Sequence, residues 1–205
     1  MPDDPIAAQY AAIAAKDLDA ARRAVALDWV NREAGSEAPA AGQGGPVGLA
    51  VTGAWLRFAF SDIAFEELER VAAGDVVMSR VIFSARQTGP LVLFEGGRPA
   101  VVFPPTRRRF RVEQIHRHEL RDGAVVGHLA RRDDLGMLQQ LGHLPPNPRS
   151  IVRLLWWRLS GKTRRAGAEA ILIGDKAASG MTTFLAAEGN EQALPASGGR
   201  GPDRA

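Results

Sequence analysis

The chain of 205 residues is 45% hydrophobic, enough for one domain with a core plus extensions. A formal net charge of only +3, with short arginine runs at 107–109 and 164–165 and little aromatic interleaving, argues against a nucleic-acid partner. The absence of cysteine excludes disulfides, thiolate metal sites and a cysteine nucleophile; the acidic start (MPDDP) and the lack of an apolar run of bilayer length lead to the expectation of a cytoplasmic protein.

Residues 5–15 and 18–29 read as helices. In the second, Leu18, Ala21, Val25 and Trp29 recur at helical spacing, and Asp17 is placed to cap. Residues 35–45 (GSEAPAAGQGG) form a loop. Pro46 suits the first position of a third helix running to about Phe58, with Leu49, Trp55 and Leu56 for the core. Residues 63–72 are assigned to a strand, although the run EELER suits one poorly. Ala73-Gly74-Asp75 is a turn, and 76–86 form a strand with Val77, Val81, Phe83 and Ala85 on one face. Residues 88–103 read as a loop, apolar enough that part of it is buried or covers something.

Phe110 to Gly142 is the most informative stretch. Asp122-Gly123 signals a two-residue hairpin turn. Counting back from it pairs His118 with Gly127, His116 with Leu129, Gln114 with Arg131 and Val112 with Asp133. Paired residues share a face. One face then carries Phe110, Val112, Gln114, His116, His118, Leu120, Val125, Leu129, Arg131 and Asp133, and His128 falls on the other. The apolar members mark the first face as buried. Its polar members need partners there, which suggests a sheet lining a pocket. Asp134 begins a short helix with Leu135, Leu138 and Leu141 as its apolar side and Gly142 at its end.

Helices followed by a meander of mostly antiparallel strands indicate an α+β fold, a curved mixed sheet packed with N-terminal helices around a conical cavity. The domain is placed at 1–146 and a C-terminal extension at 147–205. Ile151–Arg165 is basic and amphipathic. A membrane-surface helix is one reading of it; a cover over the cavity mouth or a dimer contact is the preferred one. From about Ala186 the sequence is too polar and glycine-rich to fold alone.

Several runs resemble the SnoaL-like polyketide cyclases, or ester cyclases, of the NTF2-like superfamily. They are Ala73-Gly74-Asp75; Pro104-Pro105-Thr106 leading into Arg107–Phe110; Gln114-Ile115-His116 leading to Arg121-Asp122-Gly123; and above all RDDLGMLQQLG at 132–142 with Pro145-Pro146 following. The resemblance covers roughly residues 5–148. It implies the NTF2-like cone, and an enzyme closing a ring by intramolecular aldol condensation, as in antibiotic biosynthesis. By position it implies Asp133 as the acid/base and His116 as the interior histidine. His118, Gln114, Gln87, Leu129 and Arg131 are the expected substrate contacts. The expected substrate is apolar and carbonyl-rich. No cofactor and no metal are required, a membrane is not an expected partner, and a homo-oligomer stays open.

The chemistry is coherent. A carboxyl group in an apolar cavity has a raised pKa and can take and return one proton near neutrality. His116, His118 or Gln114 would stabilise an enolate oxygen. On a straight strand Asp133 and His116 stand about 13 Å apart, opposite walls of one pocket, which argues against a metal held by His116, His118 and Asp133. Four departures from the family pattern allow a shifted substrate or a lost activity. Ala85-Arg86-Gln87 stands for Gly-Thr-His, Val30-Asn31-Arg32 lacks a histidine, Gly127-His128-Leu129 replaces Glu-His-Trp, and loop 88–103 is expanded. A non-catalytic binding module in the same cone is therefore the alternative.

Overall fold

Strand β6 (Arg109–Arg121) organises the molecule. Its residues alternate between exposed and buried from Arg109 to His116, the period-two pattern of a strand with one face on a core. The computed structural model describes residues 4–193, with side chains through Glu188. Around β6 lies a five-stranded sheet in the order β1-β7-β6-β3-β2, formed by β1 (Val25–Asn31), β2 (Phe60–Ala73), β3 (Val76–Gln87) and β7 (Ala124–Arg132). All neighbours are antiparallel except β1 and β7, which run parallel. Helices α1 (Pro5–Ala15), α2 (Leu18–Ala24) and α3 (Gly45–Ala59) pack on the concave face, giving the expected α+β cone.

Three expectations change. The helix expected over 18–29 ends at Ala24, and Val25–Asn31 is strand β1. Val25, Trp29 and Asn31 are buried while Leu27 is 80% exposed, so alternation overrides the helical spacing that Leu18, Ala21, Val25 and Trp29 also satisfy. The loop at 88–103 contains a hairpin, β4 (Leu91–Glu95) and β5 (Arg98–Phe103), whose Leu91, Val92 and Phe94 are buried in the core. Residues 63–72 are indeed strand, part of β2, with edge arginines and glutamates that suit an exposed outer strand.

The third change concerns the extension. After α4 (Asp134–Leu141) and α5 (Pro148–Leu159), helix α6 (Lys162–Ala193) lies along the body. Ala166, Ala170 and Ala178 join the main core cluster, and Met181 is fully buried in the second. The i, i+4 series Ala166, Ala170, Gly174, Ala178 lets the helix approach closely. A Cβ on Gly174 would stand 3.0 Å from the Ala38 methyl and 3.5 Å from Val51 Cγ1. The polar stretch from Ala186 continues α6 to Ala193; residues 194–205 lie outside those described.

Candidate active site

The site depends on one extra residue. The hairpin begins as expected, with Arg121 opposite Ala124 and Leu120 opposite Val125, but the next pair is Glu119 with Gly127. Val126 is a β-bulge, two residues against one, and it shifts everything beyond it by one position. His118 faces His128, His116 faces Ala130 and Gln114 faces Arg132. The inward set of β7 is therefore His128, Ala130 and Arg132. Leu129 and Arg131, expected as substrate contacts, belong to the outer face, and Arg131 is exposed. His128, expected outside, is inside.

Asp133 also moves out. Its side chain is exposed and accepts a 2.8 Å hydrogen bond from the Gly136 amide, capping α4. It does not line the cavity. Asp133→Ala is expected to cost about 1 kcal/mol through loss of this cap. A urea melt checks the cost; no change would mean that the cap is not formed. Gln87 is fully buried and hydrogen-bonded at both ends of its amide. Its Nε2 donates to the Phe103 carbonyl, and its Oε1 accepts from the Thr106 amide and hydroxyl and lies 3.0 Å from His143 Nε2. It ties β3 to the segment before β6 and does not line the cavity.

What the cone does bring together is a hydrogen-bonded row. Gln114 Oε1 lies 2.9 Å from His116 Nε2, His116 Nδ1 lies 3.1 Å from His128 Nε2, and His128 Nδ1 lies 3.2 Å from Asn31 Oδ1. Asn31 Nδ2 then donates to Glu37 Oε1 at 3.1 Å, and the Thr52 hydroxyl donates to Glu37 Oε2. Asn31 is pinned, because its Oδ1 also accepts from the Glu33 amide at 3.1 Å. His128 must then carry its proton on Nδ1, leaving Nε2 as an acceptor. The proton between the two imidazoles must come from His116 Nδ1. That requires Gln114 to present its amide nitrogen to His116 Nε2, the reverse of the recorded orientation of this rotatable group. Every donor in the row then points toward Glu37.

Burial pushes His116 down to about 3 and His118 to about 4, and holds His128 well below its ordinary value. All three are neutral in the folded chain. Below about pH 6.5 the unfolded chain binds more protons than the folded one, so stability falls with acidification until the folded values are reached. The melting temperature is expected to drop between about pH 6.5 and 4, and to drop less in His118→Gln. A flat profile would contradict neutral buried imidazoles.

Glu37 is the buried carboxyl of this site that sequence reasoning missed. It is 3% exposed, and burial raises its pKa against the opposing bonds from Thr52 and Asn31 and the nearby Arg132 charge. It lies just after a 3-10 turn (Ala34–Ser36) in a segment that reads only as loop; no local pattern marks it. Arg132 was displaced by the same one-residue shift that exchanged His128 for Leu129. It lies 3.5 Å from Glu33 and 3.7 Å from Asp134, at the junction of two compartments.

The inner compartment, about 60 Å³, is lined among others by Tyr10, Trp29, Asn31, Glu37, His116 and His128. The outer one, about 110 Å³, is lined by Trp55, Phe83, Leu93, Arg132, Met137 and Leu138 among others. Gln114 and Arg132 border both. Two buried polar atoms of residues lining the inner compartment, Trp29 Nε1 and Gln9 Oε1, have no partner among the described residues. His118 lies behind this wall, within 3.4 Å of the Tyr10 hydroxyl. As for metals, His116, His118 and His128 each offer a ligand nitrogen within 4.8 Å of the others. Three neutral imidazoles are a donor set for zinc or a similar divalent ion. His128, not Asp133, completes that set.

Comparison with known proteins agrees with this architecture. A family model described as SnoaL-like polyketide cyclase matches residues 6–141. The chain is 38% identical over 105 residues to aklanonic acid methyl ester cyclase DnrD of Streptomyces peucetius, covering 51% of this chain and 66% of that protein. It is 34% identical over 99 residues to nogalonic acid methyl ester cyclase of Streptomyces nogalater, covering 48% and 67%. The matched stretch thus spans just under two thirds of DnrD. Among solved structures, IdmH of Streptomyces antibioticus, a candidate polyketide cyclase, superposes with a TM-score of 0.51 at 27% identity, over 69% of this chain and 99% of that one. TsrD from Streptomyces laurentii shares the fold with a TM-score of 0.55 at 24% identity, over 68% and 93%. Since the family model accounts for well over half of its residues, from the first helix through the helix after the last strand, the chain belongs to the SnoaL-like polyketide cyclase family.

Proposed function

We propose that the chain closes a ring by intramolecular aldol chemistry on a carbonyl-rich small molecule, with Glu37 as the acid/base. The observation that carries this reading is a buried carboxyl group of raised pKa at the end of the hydrogen-bonded row, on the wall of the cavity. Glu37 takes a proton from the carbon beside a carbonyl. The enolate oxygen gains stabilisation from the Arg132 guanidinium and the Gln114 amide. The enolate carbon bonds to a second carbonyl carbon, and the resulting alkoxide takes the proton back from Glu37. Trp29 Nε1 and Gln9 Oε1 are free to bind a carbonyl and a hydroxyl of the guest, which fixes the reacting carbons near one another.

Volume limits the guest. An apolar cavity of about 150 Å³ holds benzene, and drug-sized ligands take roughly 300 Å³ or more. The outer compartment is smaller than either. A polycyclic substrate enters only if α4 and the β4–β5 hairpin part, which displaces the half-buried Leu93, Met137 and Leu138.

The test is turnover of a polyketone panel that includes the aklanonic and nogalonic acid methyl esters, compared between wild type, Glu37→Gln and Asp133→Asn. Closure by wild type and Asp133→Asn but not by Glu37→Gln supports the reading. Loss in Asp133→Asn alone returns the role to the position implied by family resemblance. Binding without conversion by wild type favours the non-catalytic module.

A further inference from the structure

Helix α5 does not cover the cavity. Ser150 is buried and Trp157 half-buried, so that side faces the body. Ile151, Val152, Leu155, Trp156 and Leu159 point away from it, exposed by 45, 65, 54, 53 and 87%. The positions 151, 155 and 159, and 152, 156 and 159, are one and two turns apart and merge into a single apolar stripe. Arg149 and Arg153 flank the stripe on one side and Arg158 on the other, all three exposed. Lys162, Arg164 and Arg165 extend the basic character into α6, and residues 148–168 contain no acidic residue.

We propose that α5, with the first turn of α6, docks in the plane of an anionic lipid bilayer. The pattern matches what such a surface offers. An apolar stripe enters the boundary between headgroups and acyl chains, and cations on both flanks meet lipid phosphates. Lys162 Nζ already sits 3.7 Å from the centre of the Trp156 ring, an apolar stem and charged tip at the edge of the stripe. On the Arg149 and Arg153 flank opens a cleft of about 470 Å³, lined also by Thr106 and Arg108, room for a phosphate headgroup. A second copy of the chain fits poorly, because a two-fold contact would bring these cations against their own copies. A nucleic acid would meet bulky apolar side chains where its phosphates need cations. No described helix is long and apolar enough to cross a membrane, so the attachment would be peripheral.

The experiment is co-sedimentation of the full chain with vesicles of mixed phosphatidylglycerol and phosphatidylcholine, and with vesicles of phosphatidylcholine alone. Binding to the anionic vesicles is expected to exceed binding to neutral ones about tenfold or more, and to weaken with salt. Leu155→Glu/Leu159→Glu should abolish it, and Arg153→Glu/Arg158→Glu should abolish the preference for anionic lipid. Both variants alter exposed positions, and an unchanged melting temperature verifies that they fold. Equal binding by wild type and Leu155→Glu/Leu159→Glu, or no binding to anionic vesicles, overturns the proposal. So does a wild-type dimer in light scattering that the leucine variant splits, or retention by a DNA fragment in place of vesicles.

Discussion

Glu37→Gln is expected to lower turnover by about a hundred- to ten-thousandfold, the range for loss of one acid/base. The substitution keeps the size of the side chain and its capacity to bond Asn31 and Thr52. The loss should fall on kcat more than on KM, because the proton is moved in the transition state and not on binding. The same variant should be more stable than the wild type. Burial raises the Glu37 pKa above its unfolded value, so its favourable contribution is complete below the unfolded pKa, about 4.3, and is lost as pH rises through the folded one. Glutamine has no charge to desolvate. The melting temperature of Glu37→Gln should exceed that of the wild type by a few degrees at pH 8, with the gap closing toward pH 4. Equal stability at pH 8 would mean that Glu37 is better solvated than its 3% exposure indicates.

Trp29→Ala is the substitution expected to damage the fold most. Trp29 is 1% exposed on β1, and its ring stacks 6.5 Å from that of His128. Removal of a buried indole costs about 3–5 kcal/mol, which for a chain of this length lowers the melting temperature by roughly 6–20 °C. His128 loses the wall that orients it, so the row toward Glu37 should loosen as well. Trp29→Phe should recover most of the stability and part of the activity. If Trp29→Ala melted within a degree or two of the wild type, the indole would not belong to the core.

Much of this fold was legible. The cone, α1, α3, β3, the hairpin turn and α4 with its Gly142 terminus follow from periodicity and turn residues. His116 and Gln114 lie inside because strand alternation on β6 is regular. The failures share one cause, that a local pattern has two readings and only tertiary pairing decides between them. Leu18 to Trp29 satisfies helical spacing, yet pairing with β7 makes its second half a strand. Nothing in Ala124-Val125-Val126-Gly127 announces a bulge, and a shift of one residue exchanges Leu129, Arg131 and Asp133 for His128, Ala130 and Arg132. Glu37 was invisible for a different reason. A carboxyl acquires its character from burial beside Thr52 and Asn31, contacts made across sequence by α3 and β1.

The close seating of α6 bears on how the protein is handled at the bench. Residues 6–141 match the family model, but the core they form is completed by α6. An expression clone ended at 146 would strip Ala166, Ala170, Ala178 and Met181 from the helical layer and leave Ala38 and Val51 without the helix that covers them. Chimeras that graft this domain onto other pathways should carry the long helix along with it.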